Sequence, residues 1–424
     1  MFHFSINHKD KYYFYIIVRR VFLRMDSVLR EKYYIFNELA ECKPDFKKKI
    51  FEKYYDYLDG VTVIFVKENY HNTAIQQFNE TYNNVRYGYL SNQFYNDNIF
   101  ILNKKNLMKL NNGFRNKIYY AYDINLDTNV VSYIDRLVEK KLNDNIHKEV
   151  AKMFIGKRRF ISAISIQPYI FENTLFKDEI NEDTKRTVKN FFTAIFKSHS
   201  ISNFTVSCKV KSRIKNVLKN FLLTKNDFFH DHLRKMYKYI YVVFLKMYLL
   251  QTSKVSFEKK AKKLIEFVAL DLKKISILEM TLALEFFKKG TKLKFFSKFQ
   301  KNSKNIIKDI QNAAWDIHHL RSLDFLYIFG QHRTADITIP FLYSLDKNFN
   351  EVRKLVELHT LIIDKKIGWV FPFYKNNIVQ ETVKRLKLDD MFCIKESSKR
   401  YDLFDTGAVE NLIRILELEI KENY

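Results

Sequence analysis

Ile118-Tyr119-Tyr120-Ala121-Tyr122-Asp123-Ile124-Asn125-Leu126-Asp127-Thr128-Asn129-Val130-Val131-Ser132-Tyr133-Ile134 is the stretch whose reading decides the fold. Ile118 to Asn125 reads as a strand, the polar cluster beginning at Asp127 stops it, and Val130, Val131 and Ile134 take up helical spacing. A strand that runs directly into a helix belongs to an α/β architecture with a parallel sheet. Asp127 falls at the point where the strand stops.

Working outward, two more runs repeat this arrangement. Phe160 to Ile166 is strand-like and ends at Gln167-Pro168-Tyr169, with Glu172 in the turn that follows. Ile337 to Leu345 (ITIPFLYSL) reads as a buried parallel-type strand and stops at Asp346-Lys347-Asn348-Phe349. Between these runs, Lys177 to Lys274 carries long lysine-rich helical patterns that read as an inserted lobe, and Asn312 to Arg321 is helical, with Asp316 near its start. Val352 to Ile363 reads as a helix, Gly368-Trp369-Val370-Phe371 as a last strand, and the tail from Gly407 as an amphipathic helix. Upstream, helical spacing from Asp26 to Tyr57 and the β-branched run Val61 to Val66 suggest an α/β accessory region. The polar stretch Glu68 to Asn98 has no clean period, and the turn signal Asn111-Asn112-Gly113 closes the region. Four segments result: 1–113 accessory, 114–185 the first part of the α/β domain, 186–308 the helical lobe, and 309–424 the second part with the C-terminal helices.

Composition narrows the partner. Among 424 residues, 73 Lys and Arg against 48 Asp and Glu leave a net charge of +25, which draws the chain toward polyanions and makes nucleic acid the leading partner. With 39 Phe and 27 Tyr against 8 Gly and 4 Pro, collagen-like and low-complexity classes are excluded. Cys42, Cys208 and Cys393 are too scattered for a disulfide framework or a cysteine zinc site, which fits a cytoplasmic setting. The most apolar run, Tyr239 to Leu250, is interrupted by Lys246 and is well short of the ~20 residues a membrane span needs, so no membrane partner is expected. Tyr12 to Leu23 contains Arg19 and Arg20 and lacks a small-residue cleavage site, and Met25 is an alternative start to Met1.

The acids carry the chemistry. In an open parallel sheet, functional groups gather beyond the strand C-termini, where Asp127, Glu172 and Asp346 lie, with Asp316 on a neighbouring helix. Carboxylates pushed together repel and take up protons unless a cation neutralises them, and oxygen-only ligands favour Mg²⁺ or Mn²⁺. Such an ion activates water and stabilises charge developing on a phosphate. An Asp after a strand also serves as a plain helix N-cap, which is the alternative for Asp127. Lys288, Lys289, Lys292, Lys294, Lys298, Lys301 and Lys304 alternate with Phe295, Phe296 and Phe299, the composition of a phosphate-tracking, base-stacking surface or of a solvated amphipathic helix.

These residues resemble the PIN-domain metal-dependent nucleases. Leu126-Asp127-Thr128-Asn129 is similar to the DTN-like end of that family's opening strand, and Ser344-Leu345-Asp346-Lys347-Asn348-Phe349 to its T/S-x-D-x-x-F motif. The stretches about 119–185 and 309–373 carry the likeness, interrupted by the helical lobe. The resemblance implies a PIN-like α/β/α sandwich and a phosphodiesterase, RNA favoured, with Asp127, Glu172, Asp316 and Asp346 as metal-binding catalytic acids and Asn129 and Ser344 in support. Glu279, in Ile275-Ser276-Ile277-Leu278-Glu279, is the rival to Glu172. An inducible toxin or antiviral defence effector with a regulatory protein partner is one expectation, and a catalytically silent PIN-like scaffold that binds nucleic acid or protein is the other.

Other constellations are weaker. Asp123 to Asp127 starts like an EF-hand, but Thr128 and Ile134 stand where Gly and Glu are required. His230-Asp231-His232 lacks recognisable partner ligands, and one helix cannot aim both His318 and His319 at one phosphate. Phosphate loops of the GxxxxGK[ST] or GxGxxG type, a GxSxG elbow and a Cys/His pairing are all missing from the sequence.

Overall fold

Two four-stranded sheets and a helical mass share the chain, and the ends of one pair of parallel strands carry the acids of interest. The computed structural model describes residues 28–67, 89–91, 94, 98–111, 120–141, 143–156, 164–197, 208, 210–212, 214–215, 228–300, 303–329, 335–392 and 406–422. In chain order the elements are α1 (Val28–Glu41), α2 (Pro44–Lys53), β1 (Val61–Val66), β2 (Tyr89–Ser91), β3 (Ile99–Asn103), α3 (Lys104–Asn111), β4 (Tyr120–Leu126), α4 (Thr128–Val138) and α5 (Asn145–Gly156). There follow β5 (Ile164–Ser165), α6 (Gln167–Thr174), α7 (Glu182–Lys197), α8 (Phe228–Thr252), α9 (Phe257–Glu266), α10 (Ile277–Lys289) and α11 (Ile306–Phe329). The chain ends with β6 (Ile337–Ser344), α12 (Phe349–Leu355), β7 (Leu358–Asp364), β8 (Trp369–Tyr374), α13 (Ile378–Arg385) and α14 (Thr406–Glu422).

The parallel strands are those expected from their sequence. β4 lies between β5 and β6 and runs parallel to both, with Tyr120 opposite Ile337 at one end and Leu126 opposite Tyr343 at the other. β6 is buried along its whole length, as a strand covered on both faces must be. Helices thus surround a small parallel core, a mixed α/β arrangement in which β2 adds an antiparallel edge to β6. Of the strand expected over 160–166, Ile164–Ser165 is a strand, and 160–163 lie outside the described residues, as do Met1 to Ser27, the Asn112-Gly113 turn and Cys393.

The second sheet differs from the sequence reading. Its order is β3-β1-β7-β8, antiparallel throughout, so strands from the first and last of the four segments are hydrogen-bonded neighbours. The helix expected over 352–363 is replaced by the short α12 and by β7. The run Thr360-Leu361-Ile362-Ile363 is β-rich and completely buried, and pairing with the apolar β1 covers it as a lone helix could not. The helical lobe is likewise no detached appendage. In α8, Tyr239, Ile240, Val242, Val243, Phe244 and Leu245 are all fully buried, so the helix is apolar around its circumference and packs against α10, α11 and α14. Among the described residues, no helix is long and apolar enough to cross a membrane.

Asp123 offers a test of the β4 environment. It sits partway along the strand, half-buried, and burial pushes its carboxyl up to about 7. In the unfolded chain it ionises near 4, so the stability it contributes is complete below about pH 4 and lost as pH rises through about 7. Asp123→Asn keeps the shape and removes the ionisation. In urea denaturation the variant should exceed the native chain by about 2 kcal/mol near pH 8 and match it near pH 4, whereas a pH-independent difference would contradict this environment.

Candidate active site

Asp127 extends the β4 ladder by one residue, its amide donating to the Tyr343 carbonyl at 3.0 Å, and it opens α4 without a capping hydrogen bond from its side chain. Asp127 occupies the N-cap position, but its carboxylate is held chiefly by Ser344 and not by a capping bond to the later amides of that turn. Because Leu126 pairs with Tyr343, the next residue on each strand is brought together as well, and Ser344 Oγ donates to Asp127 Oδ2 at 2.9 Å. The same Ser344 oxygen accepts from the Asp346 amide at 3.1 Å, so one hydroxyl ties both strand ends. Asp346 lies exposed at the mouth, with Oδ1 accepting from the Asn348 amide at 2.8 Å as the chain turns into α12.

Glu172 approaches from α6. Its Oε2 accepts from Thr128 Oγ1 at 2.5 Å and lies 3.4 Å from His319 Nε2. His319 stands one turn beyond Asp316 on α11, so this i, i+3 pair faces the same side. Asp316 is thus in the middle of a 24-residue helix and not near its start. The helix continues past both ends of the sequence window because Ile310, Ala314, Ile317, Leu320 and Leu323 bury it along its length.

Electrostatics shows which acids share one space. Asp316 is raised well above the usual carboxylate range by burial and then by the charges of Asp127, Asp346 and Glu172, with Lys298 acting the other way. Asp127, only 7 % exposed, is pushed up by burial; His319 and the Ser344 hydroxyl oppose that, and Glu172 adds to it. For Glu172, burial alone would raise the carboxyl, but His319, Thr128 and Lys177 outweigh it and hold the group below its ordinary value. Asp316 meets the charge of each of the other three acids, a repulsion that a cation would relieve. Their donor chemistry, oxygen only, suits Mg²⁺ or Mn²⁺. Among the described residues, however, no three acid, His or Cys side chains are gathered into a set that could hold an ion. Asp127, Glu172 and Asp346 each direct an oxygen at Ser344, at Thr128 and His319, or at the Asn348 amide instead.

Glu279 lies elsewhere. It is fully buried on α10, accepts from the Ser276 hydroxyl, and pairs with Arg321 Nη1 at 2.8 Å. A neutralised acid of this kind holds two helices together. The lysine segment needs a correction: Phe295, Phe296 and Phe299 are buried against one another and against Phe244 and Phe286, so they are unavailable for stacking on bases. Their apolar area gains more from the core than from solvent, and the backbone breaks into 3₁₀ turns to bury all three. Lys288, Lys289, Lys292, Lys294, Lys298 and Lys304 are exposed, and Lys301 lies outside the described residues. Asn129 is exposed on α4, whereas Ser344 is buried between the acids. The residues missed by sequence reasoning are Thr128 and His319, which fix Glu172; the spacing Asp316-x-x-His319 was the available signal. His230 is packed edge-on against Phe171 and His232 against Phe325, as core histidines are. His318 is fully buried against the Leu233 carbonyl.

Comparison with models of known families, with curated proteins and with solved structures finds no match for the chain.

The two acid environments separate by mutation. Arg321→Met leaves Glu279 buried without its cation and should cost about 3 kcal/mol in urea denaturation, whereas Glu172→Gln, at the half-exposed rim, should cost under about 1 kcal/mol. Equal losses would contradict the assignment of Glu279 to the frame.

Proposed function

We propose that the chain is a metal-dependent phosphodiesterase of PIN-like architecture, acting on RNA in preference to DNA. The observation that carries this reading is the electrostatic coupling of Asp316 to Asp127, Asp346 and Glu172 at the C-terminal ends of two adjacent parallel strands. Asp127, Asp316 and Asp346 would hold Mg²⁺ or Mn²⁺, with Glu172 kept ionised beside them by His319 and Thr128. When bound, the ion supplies Lewis-acid stabilisation of charge on the phosphate. Ser344 positions the Asp127 carboxylate, and Asp346, exposed at the mouth, meets the substrate side. The surplus of 25 positive charges and the exposed lysines from Lys288 to Lys304 favour a polyanion outside a negative centre. A toxin or defence effector in the cytoplasm, restrained by a regulatory partner, is the biological setting that fits such an activity.

The silent scaffold remains the second reading, favoured by the side-chain arrangement in which no three of these groups gather to hold an ion among the described residues. Incubation with a mixed RNA pool and Mn²⁺ separates the two. The native chain should cleave, and Asp127→Asn and Asp346→Asn should each abolish cleavage, because each removes a charge the ion needs while keeping side-chain size. Asp127→Asn should also raise the melting temperature without metal, since it relieves repulsion on Asp316. A native chain that cleaves neither RNA nor DNA with either metal would support the scaffold.

A further inference from the structure

Beside the acid pocket stands an aromatic group with no part in acid chemistry. Phe176, two residues beyond α6, is 45 % exposed, yet its ring is firmly backed. It packs against Tyr237 at 5.1 Å between centroids and edge-on to Trp315 at 6.1 Å, and Trp315 in turn lies 4.2 Å from Tyr237. Lys238 Nζ, paired with Glu410, lies over the Phe176 ring 5.9 Å from its centre, so a ligand would meet the part of the ring it leaves open. This group is continuous with the pocket: Trp315 precedes Asp316 on α11 and stacks on His319 at 5.7 Å, the histidine that meets Glu172. Exposed Lys177 follows Phe176, and its charge is felt at Glu172.

Those features match what one nucleotide presents. A nucleobase needs a rigid aromatic surface open to solvent, and its phosphate needs a nearby cation. We propose that Phe176 is a nucleobase-stacking platform that holds the base beside the phosphate entering the acid pocket, with Lys177 meeting the backbone. The proposal rests on the phosphodiesterase reading for the approach of the phosphate and extends it: the strand is single, because a paired base has no free face to offer Phe176. The stacking role that Phe295, Phe296 and Phe299 cannot fill, being buried, passes to a residue more than a hundred positions earlier in the chain.

Fluorescence anisotropy with a labelled single-stranded oligouridylate tests this, using the full chain in an Asp127→Asn background so that the strand survives. Phe176→Ala should weaken binding roughly tenfold, and Phe176→Trp should restore it, while an abasic strand of equal length should bind both variants alike. Unchanged affinity of Phe176→Ala for a strand that does bind would overturn the platform and leave the phosphodiesterase reading standing. Failure of every variant to bind any strand would overturn both. Phe176-dependent binding by a native chain that never cleaves would support the platform on a silent scaffold, so the two failures are told apart.

Discussion

The parallel pairing of β4 with β6 is the constraint on which the rest depends. More than two hundred residues separate the two strands, and all the backbone bonds from Tyr120 to Leu126 must be in register for Asp127 to reach Ser344. A slip of one residue would turn Asp127 to the opposite face of the sheet and bury it among apolar side chains. The long helices that intervene complete the arrangement: α8 and α11 pack against each other, and α11 packs against β6, so that Asp316 and His319 are delivered to the strand ends.

What those strand ends assemble is costly. Burial and like charge both act against ionisation of Asp316, and Asp127 is relieved only partly by His319 and a serine hydroxyl. Natural chains keep such arrangements chiefly where the repulsion is used. By contrast, the buried pair of Glu279 and Arg321 is balanced in charge, and its geometry accounts for both residues as parts of the frame. Of the exposed lysines between Lys288 and Lys304, Lys298 acts on Asp316 and opposes the rise of its carboxyl.

The sequence made the parallel core legible because local pattern and burial agree there: strand, polar stop and helix follow one another at Asp127, and ITIPFLYSL is predominantly apolar. Helix α8 was legible for the same reason. β7 was not, because Leu358 to Asp364 follows a short helix without a turn signal and is a strand through pairing with β8 on one side and with β1, nearly three hundred residues earlier, on the other. Phe295, Phe296 and Phe299 misled because composition reports which residues are present and not which way they face. Glu172 and Glu279 were indistinguishable by local context; only the distant partners His319 and Arg321 separate them. His319 itself was hidden beside His318, since choosing between adjacent histidines requires the rotation of α11.

Electron paramagnetic resonance of Mn²⁺ titrated into the full chain tests the shared acid pocket most directly, because the free-ion signal disappears on binding whether or not any substrate is known. Saturable loss of that signal is expected in the native chain, and its return in Asp316→Asn, the residue on which the other three charges converge. A free-ion signal that rises in proportion to added Mn²⁺ in the native chain, as in buffer alone, would contradict it.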